Sequence, residues 1–231
     1  MLRHTLLIAA ASVALAMPAN AETKSYDMDS FNKLSVSAGV KVIFEAGDTQ
    51  SIIAENDDGN FDKLILKSSG DTLVVSRESS GGWFRRGKRQ NYTVRISGPA
   101  LSAVSASSGS DVDASGISGD TVSLKVSSGA DLEVTNIDAG KISLSASSGS
   151  EMDAYGTCSS AHMSSSSGAS VDADELICDA LDASASSGAS VKGHARQSVS
   201  GSASSGASIK VVGGAPHVDV SKSSGGSVSV S

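Results

Sequence analysis

Between residues 107 and 225 the triplet Ser-Ser-Gly returns seven times, with its glycine at Gly109, Gly129, Gly149, Gly168, Gly188, Gly206 and Gly225. The intervals are 20, 20, 19, 20, 18 and 19 residues. Three residues after the glycines stand Val112, Leu132, Met152, Val171, Val191, Ile209 and Val228, all apolar. Two further on come Ala114, Val134, Ala154, Ala173, Gly193, Val211 and Val230, and five before the glycines lie Val104, Leu124, Leu144, Met163, Ala183, Gly201 and Val220. Alternation with period two on both sides of a fixed glycine describes short strands meeting at a corner. A repeat of about 19 residues is too short for paired helices and fits one turn of a β-helix, whose inward residues stack on those of the next turn. The glycine serves a corner where φ is positive or a side chain would clash. The serines before it can form hydrogen-bonded ladders from rung to rung.

The preceding stretch alternates less regularly. Phe31 to Ser37, Val40 to Glu45, Ser51 to Glu55, Lys63 to Lys67, Thr72 to Arg77 and Tyr92 to Ser97 read as strands. Gly39, Gly47, Asp57-Asp58-Gly59 and Ser69-Gly70-Asp71 punctuate them. Most of the bulky residues are here, and only Tyr155 is aromatic beyond Ser102. The expected organisation is one all-β domain over 22–231: irregular first rungs and a cap over 22–101, then regular Ser-Ser-Gly rungs over 102–231.

Residues 1–21 read as a secretory signal peptide. Arg3 and His4 precede an apolar run from Leu6 to Ala16, and Ala19-Asn20-Ala21 offers a cleavage site. That run is shorter than the roughly 20 residues a bilayer span needs, and no later segment reads as transmembrane. The expected location is the periplasm or cell surface of a Gram-negative-type bacterium. Residues 22–101 balance eleven acidic against eleven basic side chains, while 102–231 hold fourteen acidic against six basic. That surplus disfavours nucleic acid, whose binding depends on neutralising phosphates.

At several places the chain resembles the "putative auto-transporter adhesin, head GIN domain" family. Phe31-Asn32-Lys33-Leu34-Ser35-Val36 with Gly39-Val40-Lys41-Val42 is similar to its opening, and Asp71-Thr72-Leu73-Val74-Val75 to its G-x-L-x-I strand. Ile96-Ser97-Gly98-Pro99-Ala100-Leu101 resembles the I-x-x-P-x-L segment that introduces its repeats, and Gly213-Gly214-Ala215-Pro216 its near-terminal G-x-P. The resemblance implies a right-handed parallel β-helix and an adhesin-type role.

Nothing in the sequence reads as catalytic. There is no H-E-x-x-H, P-loop or G-x-S-x-G string, and Ser30-Phe31-Asn32-Lys33 matches S-x-x-K without its companion motifs. His162, His194 and His217 read as surface residues in different rungs. Two classes of function remain open: a structural or adhesive envelope protein presenting its long sides to a partner, and a polysaccharide- or envelope-polymer-binding, or carbohydrate-active, protein using the acidic flank.

Four features carry specific expectations. The loop with Trp83, Phe84, Arg85, Arg86, Lys88 and Arg89 joins four cations to two large aromatics. It is either a solvated tip folded over the solenoid end or a contact site for lipid phosphates or an acidic polymer. Asp111 and Asp113, Asp131 and Glu133, and Glu151 and Asp153 stand two and four residues after successive hinge glycines. They form two acidic columns, either a solvated face or bridged by Ca²⁺; no cofactor is otherwise expected. Cys158 and Cys178 each lie ten residues before a hinge glycine. Cα atoms stacked about 4.8 Å apart can take a disulfide, which an oxidising compartment permits; two free thiols in a core column are the alternative. Finally, Gly226 to Ser231 is an alternating strand without a polar cap, which predicts covering by a partner or homo-oligomerisation through this end.

Overall fold

The computed structural model describes residues 22–78 and 91–231. The described chain is all-β, with parallel strands stacked into a solenoid. The regular part comprises β8 (Ala103–Ser107), β9 (Asp111–Ser115), β10 (Ser118–Ser127), β11 (Asp131–Ser147), β12 (Glu151–Ser166), β13 (Ser170–Ala185), β14 (Ser190–Ala203), β15 (Ser208–Val212), β16 (His217–Lys222) and β17 (Ser227–Val230). The longest of these bend around the rod, so one strand supplies more than one side of a rung. Register follows the repeat: Val112, Leu132, Met152, Val171, Val191, Ile209 and Val228 are successive Cα partners. All but Val228 in this column are at most 2% exposed.

The corner geometry explains the triplet. Its glycine is left-handed, and so is the serine before it, at Ser108, Ser128, Ser148, Ser167, Ser187, Ser205 and Ser224. Two consecutive left-handed residues reverse the chain sharply, and the N–H beyond the corner donates to the carbonyl three residues back, as in Ala169 to Ser166 at 3.2 Å. The ladder between corners is made by the main chain. From Gly109 to Gly206 each hinge glycine N–H donates to the carbonyl of the left-handed serine one rung on, Gly129 to Ser148 at 3.2 Å and Gly168 to Ser187 at 3.1 Å. A small residue follows each of the first six glycines, Ser110, Ala130, Ser150, Ala169, Ala189 and Ala207, and all six are buried. Differences in rung length are absorbed away from these corners, where the register shifts between Val134 and Ile137, Asp153 and Gly156, and Ala173 and Ile177.

The six N-terminal strands read from sequence are present as β2 (Lys33–Val36), β3 (Lys41–Ala46), β4 (Ser51–Asn56), β5 (Leu64–Ser69), β6 (Thr72–Arg77) and β7 (Thr93–Gly98). The short β1 (Glu22–Ser25), all four of whose residues are exposed, was not legible in the sequence. Stacking order here is not chain order. β2 and β3 lie between β8 and β9 on one side and β6 and β7 on the other. β5 pairs antiparallel with β6, and β4 pairs antiparallel with β7 and with β1. Large side chains plug this end. Phe44, Ile52 and Tyr92 are at most 2% exposed, and the Phe61 and Tyr92 rings lie 6.4 Å apart. Arg95 Nε donates to the buried carboxylate of Glu55 at 2.7 Å.

Candidate functional site

The acidic columns are real alignments. Asp111, Asp131 and Glu151 are Cα partners in sequence, as are Asp113, Glu133, Asp153 and Asp172. Lysines close both ends. Lys41 reaches Asp111 and Asp113, each at 2.9 Å, and Lys192 pairs with Asp172. Burial lowers the Lys41 pKa, and the hydrogen bonds and charges of the two aspartates outweigh it, so the net direction is up. Asp153, with carboxylates on both neighbouring rungs, is raised by burial and then by Glu151, Asp172 and Glu133. Among the described residues no group of three or more His, Cys, Asp or Glu side chains is placed to hold a metal ion. The carboxylates run in file along the rod, with Asp111 and Asp113 both turned to the Lys41 ammonium.

Cys158 and Cys178 are paired by a disulfide with Cα atoms 4.6 Å apart. The bond fills a column whose other members include Ala139 and Ala195. The loop of Trp83, Phe84, Arg85, Arg86, Lys88 and Arg89 lies outside the described residues; its flanks, β6 and β7, form the outermost parallel rung.

A second polar column escaped the sequence reading. His162, Asp182 and Ser200 are Cα partners on successive rungs. The His162 Nδ1 and Asp182 Oδ2 atoms are 3.0 Å apart, and Ser200 Oγ donates to Asp182 Oδ1 at 3.2 Å. The signal was available: each residue stands six before its hinge glycine, as does Asp219. His162 shares its phase with Asp182 and not with His194 or His217. Asp182 sits between the imidazole and the hydroxyl, so this set lacks the hydroxyl–imidazole contact that activates a nucleophile.

These side chains stand on a shallow surface depression of about 380 Å³. Its edges are short residues such as Ser143, Ser160 and Ala180, with Lys141 at one end. A second depression of about 490 Å³ shares Ser198 and Ser200 with it and continues to His217 and Asp219.

The two ends of the rod differ. At the C-terminal end β16 pairs with β14 and β17 with β15 on one side each, and the other edge of both is unpaired among the described residues. Val218 is 48% exposed, although its column is otherwise buried, and Val220, Val228 and Val230 are half-buried. Lys222 occupies an inward position taken elsewhere by Val126, Ala146, Ser165, Ala185 and Ala203.

Among solved structures the fold is similar to that of a protein described as a "putative adhesin" from Bacteroides fragilis. Identity is 17%, the match covers 93% of this chain and 98% of that one, and the TM-score is 0.81. A "putative lipid binding protein" from Parabacteroides distasonis matches at 14% identity, 92% and 97% coverage and TM-score 0.70. A "putative adhesin" from Parabacteroides merdae matches at 15%, 92% and 97%, and 0.68. No curated protein matches the chain. The family described as "Putative auto-transporter adhesin, head GIN domain" matches residues 30–215. With that match over most of its length, and the stacked parallel rungs to go with it, the chain belongs to this head GIN domain family.

Proposed function

We propose that this chain is an exported, non-catalytic interaction rod of the bacterial envelope, adhesin-like in its use of a stiff elongated surface to hold a partner. The observation that carries the reading is the ladder arrangement of its polar side chains. Carboxylates and serine hydroxyls repeat along the rod instead of converging on one reacting point. Convergence is what acid–base or metal chemistry requires, whereas repetition along an axis suits an extended or multivalent partner. The family description and the adhesin-type neighbours support the same reading. The test uses purified protein of residues 22–231, incubated with washed bacterial envelopes and pelleted. Saturable retention without release of reducing ends is the expected result. Release of reducing ends would make the protein an enzyme, and no retention would remove the interaction role. Blotting periplasmic and surface fractions for a product lacking residues 1–21 tests the export.

A second reading applies to the C-terminal end, where the half-open valines and unpaired strand edges favour end-to-end association of two copies. Lys222 on the same slice weakens such a contact, because an inward charge guards a strand edge. Association is therefore expected at high concentration and not at low.

A further inference from the structure

The geometry points to a binding trough for a linear, uncharged, hydroxyl-rich glycan along the flank that carries His162, Asp182 and Ser200. The inference rests on the interaction role proposed above and names the chemistry of the partner.

Three observations converge on this flank. First, the two depressions share Ser198 and Ser200 and so form one trough. Its edge residues Thr121, Lys141, Ser160, Ala180, Ser198 and His217 are consecutive Cα partners. Five steps of about 4.8 Å give a length of roughly 24 Å, which suits a chain-like ligand and exceeds what a single small molecule fills. Second, the polar groups are arranged for hydroxyls. Asp182 accepts from Ser200 and sits beside His162 Nδ1, which leaves the imidazole Nε2 and further carboxylate lone pairs open to the trough. Serine hydroxyls along the edge donate or accept as the ligand requires. Third, the charge is close to balanced, with Lys141 against Asp182 in one depression and Asp219 in the other. Such a lining offers no cluster of cations for phosphates or uronates and no row of carboxylates for a basic peptide. The acidic columns stand on another face of the rungs, so the two surfaces can be altered separately.

The trough is open, and its small residues keep it so. Ala180 lies midway along one edge, and a large side chain there would reach across the trough without removing any polar group.

Affinity electrophoresis in gels containing uncharged linear polysaccharides, in parallel with gels containing uronic-acid polymers, tests the inference. The wild type is expected to be retarded by at least one uncharged polymer. His162→Ala with Asp182→Ala, and separately Ala180→Tyr, should each weaken that retardation tenfold or more. His162 and Asp182 are both 57% exposed, so the melting temperature should hold in the double variant. Asp131→Asn with Glu133→Gln, on the acidic face, should leave retardation unchanged. Retardation by uronic-acid polymers alone, equal retardation of wild type and trough variants, or none by any uncharged polymer would overturn the inference. Envelope retention of the same variants separates the two levels. If wild type and trough variants pellet equally with envelopes, the interaction role stands and the trough is wrong; if none pellets, the role itself fails.

Discussion

Asp153 pits folding against charge. A carboxyl whose folded pKa is raised binds its proton more readily in the folded chain than in the unfolded one. It therefore costs stability above the raised pKa and nothing below its ordinary value of 3.8. Asp153→Asn should melt above the wild type at pH 7, and the difference should close as pH falls below 3.8. Melts at several pH values check this, and a gap that widens on acidification would contradict it. Like charges one rung apart repel by roughly 1 to 3 kcal/mol at effective dielectrics between water and protein surface, relieved in part here by solvent and by the lysines at the column ends. Glu55 presents the opposite case. It is 5% exposed and held by Arg95, so Arg95→Met leaves a buried carboxylate without its cation. The expected loss is about 3 kcal/mol or more in chemical denaturation. Adding Glu55→Gln to that variant should recover part of it, since the stranded charge is then gone.

The rung owes its closure to the corner, where serine adopts a conformation that side chains disfavour. Moving a non-glycine residue into the left-handed region costs roughly 1 to 2 kcal/mol, whereas glycine there loses more chain entropy on folding. The first is the larger by roughly 0.5 to 1 kcal/mol, so Ser148→Gly should raise the melting temperature slightly. Ser148→Val should lower it clearly, because a β-branched side chain fits that region worst. The disulfide between β12 and β13 spans 20 residues, and a loop of that size predicts about 3 kcal/mol of stabilisation. Cys158→Ala with Cys178→Ala, which extends the alanine column on either side, measures it in a denaturant titration. At this scale the sequence was largely readable. A period of about 19 residues with alternation fixes which residues face inward, and hence the register of every regular strand. The serine conformation was hidden because left-handed geometry leaves no mark on composition when the residue is not glycine or asparagine. The polar column of His162, Asp182 and Ser200 was hidden differently. Three residue types share one position, so only counting back from the hinge reveals it.

Across the whole molecule, the N-terminal third is where sequence order and spatial order part. β2 meets β8 across a separation of 70 residues, Lys33 opposite Ala103, and alternation in either strand says nothing about which distant strand it will join. The two ends that result are unlike. One is filled by aromatics and crossed by antiparallel strands; the other shows a slice of valine with one lysine. Lys222→Val should strengthen end-to-end association, read as a larger apparent mass by light scattering at high concentration, and Val218→Asp should abolish it. A wild type that stays monomeric at every concentration would leave the open end without a role in self-association.

The shared register has one more consequence, for length. Because Asp131 stands opposite Glu151, and the two rungs stay aligned on both sides of the register shift between Val134 and Ile137, residues 131–150 form one unit of the stack. Joining Ala130 directly to Glu151 should give a cooperative fold, shorter by one step of about 4.8 Å. Circular dichroism and thermal melting can check that. Such a molecule works as a ruler whose graduations are gained or lost singly, so reach could be adjusted by copying or deleting one tick while both ends keep their character.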